Sequence, residues 1–257
     1  MSRPSRRRRG LPPRERRARR PRPTPPTLGL ALIVRDEEET LPALLSSVEG
    51  AFDQVVLVDT GSVDDTVAVF ERWCARTGQQ HVVESFTWVD DFAAARNYAD
   101  SLLTTDWECW ADADDVIVGA ANLREIVARA PARVSAYAAQ YDYAFDDNGK
   151  CDFSIPRERL VRRGVAVWIG RVHPYKVPKG GSRRPMGVIA PGAALWGHRK
   201  TEAEQDADVD RDGVIFRRWQ AEAPHDPLLL GWLETGSNPA MLAALVGWGP
   251  ATAVVST

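Results

Sequence analysis

The sequence predicts an α/β protein: a mostly parallel, Rossmann-like sheet flanked by helices, followed by an antiparallel extension. Three observations carry this. Four short apolar runs between residues 28 and 115 alternate with three segments of helical spacing, the pattern of parallel strands joined by crossover helices. Polar clusters follow three of those runs directly, at Arg35–Glu39, Asp59–Ser62 and Asp112–Asp115. Beyond residue 130 the alternation gives way to weaker period-two runs around the turn signal Asn148-Gly149, as antiparallel hairpins require.

Leu28–Val34 is a continuous apolar run, expected of a strand buried on both faces. Leu41, Leu44, Leu45 and Val48 then recur at helical spacing, closed by Gly50. Val55–Val58 reads as the second strand, and Val67, Phe70 and Cys74 mark the helix after it. Ser62 and Asp65 have the spacing of a capping box for that helix. Val82–Phe86 is the third strand, and Phe92, Ala95, Ala99 and Leu102 share one helical face. Trp107–Ala111 is the fourth strand. Asn122 and Glu125 are placed to cap a short helix ending near Ala130. Val134–Phe145, Cys151–Ile155, Val165–Ile169 and Val188–Trp196 are strand candidates, and residues 201–233 read as helical.

The domain boundaries rest on these signals and on charge. Residues 1–27 hold eleven arginines, seven prolines and one acid, Glu15, a composition that cannot bury enough surface to offset its ordering entropy. They are expected to be a disordered, solvated leader, the alternative being a cationic tail for a weak anionic partner, nucleic acid or membrane. A signal peptide is disfavoured, because acids follow Leu28–Val34 at once and no small-residue cleavage site is seen. Residues 28–200 form the folded domain, with residues 28–115 as a ligand-binding half and 116–200 as a second half. Residues 201–257 form a helical extension. The body carries 22 basic against 34 acidic residues. No apolar stretch is long enough to span a bilayer, and Gly247, Gly249 and Pro250 break the run Met241–Val255. Cys74, Cys109 and Cys151 are scattered, which fits a reducing, cytoplasmic location.

In open α/β sheets ligands bind outside the C-terminal strand ends, where the three polar clusters converge. Asp112 and Asp114 stand at i and i+2 after a strand. In extended chain both carboxylates face one side, giving an oxygen site for Mg²⁺ or Mn²⁺ that shares its remaining positions with a substrate diphosphate. Asp206, Asp208, Asp210 and Asp212 alternate too. The run Asp208–Trp219 opens like an EF-hand loop, but Trp219 stands where the bidentate Glu is needed, so a solvated helix or loop is expected. Asp59 is placed for a nucleobase or ribose, or for turn chemistry. Arg96 and Asn97 lie mid-helix, and Arg96 suits a diphosphate or a surface ion pair.

The blocks LALIVRDEEETL, VVLVDTGSVDDT, WVDDFAAARNYA and DWECWADADD, in that order across residues 28–115, resemble the nucleotide-sugar-dependent glycosyltransferases of family 2, which have the GT-A fold. The resemblance implies inverting transfer from a nucleoside-diphosphate sugar, usually UDP-linked, with a divalent metal. It implies that Glu37 and Asp59 contact the nucleoside, that Arg96 lies near the donor, that Asp112 serves ribose and metal, and that Asp114 holds the metal. Asp36 stands where the family often has Asn. Residues 157–176 are similar to a bacterial subgroup carrying Arg-Leu and then Gly-x-Val-His-Glu. Arg159-Leu160 and Gly170-Arg171-Val172-His173 match, but Pro174 replaces the Glu. An inverting transferase needs a base for the acceptor proton, and Pro cannot serve. His173 has a suitable pKa range, with Asp152 or Asp142 as other candidates. A late His approaches the metal in the family, and His198 stands in that place.

The expected activity is therefore metal-dependent glycosyl transfer to an unidentified glycan, peptide or lipid acceptor. The rival readings are a catalytically impaired nucleotide-sugar binder, suggested by Pro174, and a nucleic-acid binder acting through the Arg-rich tail. The subgroup often continues into helical repeats, and residues 201–233 resemble only the linker to them.

Overall fold

The structure, a computed structural model, describes residues 24–145, 151–181, 183–198, 202–230, 248 and 254–255. The Arg/Pro-rich residues 1–23, the Asn148-Gly149 turn and the start of the apolar run at Met241 lie outside the described residues.

The first half alternates as expected: β1 (Leu28–Val34), α1 (Leu41–Ser47), β2 (Gln54–Asp59), α2 (Thr66–Thr77), β3 (His81–Ser85), α3 (Phe92–Leu102) and β4 (Trp107–Trp110). The strands are parallel in the order β4-β1-β2-β3. Period-two side-chain alternation divides β1 between two cores. Leu28, Leu30 and Leu32 pack with Leu44 and Leu45 of α1 and Phe70 of α2. Ala31 packs on the other face with Ala99 and Leu103, at the end of α3. Helices thus cover both faces, which explains why β1 and the Val55–Val58 centre of β2 are apolar.

The second half extends the same sheet. It contains β5 (Asp115–Val118), α4 (Leu123–Ala128), β6 (Ala136–Phe145), β7 (Cys151–Arg162), β8 (Ala166–Ile169), β9 (Tyr175–Pro178), β10 (Met186–Ile189) and β11 (Leu195–His198). Strand β7 runs antiparallel to both β4 and β6. Strand β11 lies parallel to β6 and antiparallel to β5, so His198 pairs with Asp115. The hairpin β8–β9 forms a separate two-stranded sheet. Helix α5 (Glu202–Glu222) comes next. No helix among the described residues is long and apolar enough to cross a membrane.

Several local expectations are corrected. Helix α2 starts after Asp65, with no side-chain cap. Ser62 instead donates through its amide (3.0 Å) and hydroxyl (2.6 Å) to Asp59 Oδ1, a turn that competes with capping. Asn122 does not cap α4 by its side chain; its Nδ2 donates to Ala193 O at 2.7 Å. That contact needs the close approach of Gly119, where φ is +78° and a Cβ would lie 2.3 Å from Ala193 O. Val188–Trp196 is not one strand but parts of β10 and β11, separated by a turn at residues 191–193. The stretch 208–219 lies wholly inside α5, so it forms no calcium loop.

Candidate active site

The C-terminal edge of the parallel strands opens into a cleft of about 500 Å³, a size suited to a small ligand. Val34 at the end of β1, Arg35 and Glu37 after it, and Thr60 after β2 line one side. Arg96, Trp110, Asp112, Asp114, Tyr141 and His198 line the centre. Arg157, His173, Pro174, Arg211 and Asp212 line the far side.

The acidic segment after β4 is a turn rather than extended chain, which corrects the basis on which Asp112 and Asp114 were paired. The amide of Asp115 donates to Asp112 O (3.0 Å), and the amide of Asp112 donates to Asp115 Oδ2 (3.0 Å). The turn still gathers its acids. Ligand atoms of Asp112, Asp114, Asp115 and His198 all lie within 4.8 Å of one another. Asp115 has no exposed side chain and faces the equally buried Arg159, whose Nη1 lies 3.3 Å from Oδ2. Arg159 also donates to Trp110 O (3.2 Å) and stacks on Trp110 (3.6 Å) and Tyr141 (4.1 Å). Asp115 is therefore held by the fold, while Asp112, about a third exposed, faces the cleft.

Arg96 is buried, bonds Asp112 Oδ1, and lies over Trp110 (4.7 Å) and Trp168 (5.0 Å). It is an ion pair, but a buried one on the cleft wall. Its neighbour Asn97 brackets the backbone of Trp168 with two 3.0 Å hydrogen bonds, tying α3 to β8. His198 Nδ1 lies 2.8 Å from the Tyr141 hydroxyl and 3.3 Å from both Asp114 Oδ1 and Asp115 Oδ1. Its ring stacks flat on Tyr143. Burial alone would lower the His198 pKa, but the hydrogen bond with Asp115 and the charges of Asp114, Asp112 and Asp115 outweigh it and raise it. A cation bound there must displace that proton. The donor set of carboxylate oxygens and one imidazole fits a hard divalent cation such as Mg²⁺ or Mn²⁺.

Glu37 lies on the cleft wall; its amide donates to Thr66 Oγ1 (2.7 Å) and its carboxylate accepts from the Thr40 hydroxyl. Asp59 is on the same sheet edge as Asp112, with β1 between their strands, about 10 Å away by strand spacing. Thr60 beside it enters the cleft, whereas Asp59 is not among the lining residues and is engaged with Ser62. His173, with positive φ (+46°), projects from the β8–β9 loop, half-exposed. Its Nε2 lies 3.4 Å from Asp212 Oδ2. Pro174 accepts at its carbonyl from Arg157 Nη2 (2.9 Å). Asp142 is buried, bonded to Gln140 (2.6 Å), and does not line the cleft; the side chain of Asp152 lies outside the described residues.

Sequence reasoning missed the part that three pairs of residues play in the cleft. Arg157 and Arg159 alternate on β7, and together with Arg96 they surround the Trp110 indole. The period-two spacing of the two arginines was the available signal. Tyr141 and Tyr143, also two apart, frame His198. Arg211 and Asp212 came from a segment read as solvated.

The family model described as "Glycosyl transferase family 2" matches residues 30–184. A TPR repeat-containing protein of Synechococcus elongatus is 28% identical over 215 residues, 79% of this chain and 50% of that protein. The SPbeta prophage-derived glycosyltransferase SunS of Bacillus subtilis is 31% identical over 91 residues, 35% of this chain and 21% of that protein. The chain thus spans half or less of the length of these two relatives. Among solved structures, the mannosyltransferase PcManGT from Pyrobaculum calidifontis, in complex with GDP-Man and Mn²⁺, aligns with a TM-score of 0.51 at 15% identity. That alignment covers 87% of this chain and 74% of that one, and it shows the GT-A type of fold.

Proposed function

The chain belongs to glycosyl transferase family 2, and from that membership we propose that it transfers a sugar, with inversion, from a UDP-linked donor to an acceptor hydroxyl or thiol. The observation that carries this reading is the acidic turn: Asp112, Asp114 and His198 meet at the C-terminal strand edge, inside the cleft.

Asp112 and Asp114, with His198, would hold a divalent cation, whose charge offsets that of the departing diphosphate. Arg96 sits beside Asp112 and supplies a second, permanent positive charge on the same wall. Glu37 and Asp59 are assigned to the nucleoside, Glu37 as a lining residue of the cleft and Asp59 beside Thr60, which lines it. His173 accepts the acceptor's proton as the new bond to the anomeric carbon forms. The acceptor is a glycan, peptide or lipid.

The test is a thermal-shift panel of sugar nucleotides, UDP-linked and GDP-mannose, with and without Mn²⁺. At a donor concentration about 100 times Kd, stabilisation is about 2.7 kcal/mol, or a Tm rise of about 5–10 °C for a domain of this size. The rise should require Mn²⁺ and vanish in Asp114→Ala. Equal shifts in both proteins would refute the metal assignment. Pro174 in the place of a Glu favours a second reading, a binder without turnover; stabilisation without release of nucleoside diphosphate would support it.

A further inference from the structure

Helix α5 begins after the stretch matched by the family model, yet it walls the cleft through Arg211 and Asp212. Ion pairs fasten it there. Arg218 bonds Asp90, just before α3, and Glu222 accepts from Arg171 of the β8–β9 loop at 2.8 Å. Arg211 lies over the Phe92 ring at 4.8 Å. The arrangement brings the Asp212 carboxylate, mostly buried, against the half-exposed His173 imidazole.

We propose that Asp212 is the positioning residue of a His173–Asp212 pair that serves as the proton-accepting unit of the transferase. This rests on the reading above, in which His173 is the base. Asp212 Oδ1 is pinned by Arg211 through Nε (3.0 Å) and Nη2 (2.9 Å), while Oδ2 lies 3.4 Å from His173 Nε2. A carboxylate so placed selects the tautomer with hydrogen on Nε2. The lone pair of Nδ1 is then the accepting site. In the step itself, the acceptor oxygen bonds to the anomeric carbon and its proton passes to Nδ1. The bond from that carbon to the diphosphate oxygen breaks, and its electron pair leaves with the nucleoside diphosphate. Asp212 then faces an imidazolium, which it stabilises, as in carboxylate–histidine pairs generally. Of the charged groups beside this loop, Arg171 bonds Glu222 and Arg157 bonds Pro174 O. The left-handed backbone at His173 costs energy, and the residue is held in it where its ring meets Asp212.

The experiment compares wild type, Asp212→Asn, Asp212→Glu, His173→Asn and the double variant Asp212→Asn/His173→Asn, using three readouts. The first is ¹⁵N NMR of the histidine rings, with His173 assigned by its absence in His173→Asn. Wild type should show the Nε2–H tautomer, and Asp212→Asn should lower the His173 midpoint. The second is release of nucleoside diphosphate from the donor that gives the largest Mn²⁺-dependent thermal shift. Asp212→Asn should slow it at least tenfold, Asp212→Glu should recover part of the loss, and the double variant should be no slower than His173→Asn. The third is the donor-dependent thermal shift, which should persist in every variant. An unchanged His173 titration in Asp212→Asn, or multiplicative losses in the double variant, would overturn the pairing. Failure of wild type to bind any donor would instead refute the transferase reading, while the NMR arm still decides whether the pair exists.

Discussion

Replacing Arg159 with Met should destabilise the fold by about 4 kcal/mol. Arg159 and Asp115 are both fully buried, and removing one partner of a buried ion pair costs about 3–5 kcal/mol, because the other charge is stranded. Two losses act together. Asp115 retains the Asp112 amide at 3.0 Å and His198 at 3.3 Å but no arginine. The faces of Trp110 and Tyr141 lose a cation, worth about 0.5–2 kcal/mol in a desolvated setting. Met recovers part of the packing, which keeps the total within the range for a broken buried pair. With a urea dependence of about 2 kcal/mol per molar, the unfolding midpoint should fall by about 2 M. The companion measurement is Arg159→Met combined with Asp115→Asn, which removes the stranded charge and keeps an acceptor for the Asp112 amide. It should recover at least half of the loss. If the double variant is as unstable as the sum of the two singles, the pair is not coupled, and the account of how the acidic turn is held is wrong.

Three further outcomes concern other groups. Lys176 is fully buried between Asp100 (2.9 Å) and Glu108 (2.8 Å). Burial alone would lower its pKa, but the two carboxylates raise it above the ordinary value. Glu108 is itself raised by burial, which points the opposite way for this pair; Lys176 sets the direction because two acids face it. A raised lysine contributes stability that is complete below its unfolded pKa of about 10.4 and is lost as pH climbs through the folded value. Urea midpoints should therefore drop above about pH 10.5 in wild type, and this drop should be absent in Lys176→Met, which is itself about 3–5 kcal/mol less stable at pH 7. Burial pushes the thiol of Cys109 up to about 12 and that of Cys74 up to about 11, whereas Cys151 is partly exposed. Iodoacetamide at pH 8 should add one group to the native protein, at Cys151, and three in denaturant, read by intact mass. Arg218→Ala should release α5 from Asp90, slowing nucleoside diphosphate release severalfold while leaving the donor-dependent thermal shift in place.

The parallel half was legible because its strands are buried on both faces and its helices on one. Those two environments write different periods into the sequence, and the polar residues that break them fall at the strand ends. Asp112, Asp114 and His198 could be singled out on that basis and on the family resemblance, and the structure brings them together. Pairing across distance could not be read. Arg159 and Asp115 lie 44 residues apart, and an arginine at zero exposure looks in sequence like any arginine. The turn that replaces extended chain at Asp112 depends on one backbone hydrogen bond and one from the Asp112 amide to the Asp115 carboxylate, which no composition signals. Helix α5 misled for a related reason. Its charged residues match a solvated surface, yet Arg218, Glu222 and Asp212 are spent on contacts with the loop and helix opposite.

Because α5 lies beyond the stretch matched by the family model yet contributes Arg211 and Asp212 to the cleft, resemblance over residues 30–184 alone leaves part of this wall unspecified. Substitutions in α5 therefore change the lining of the cleft without touching any residue of the matched stretch.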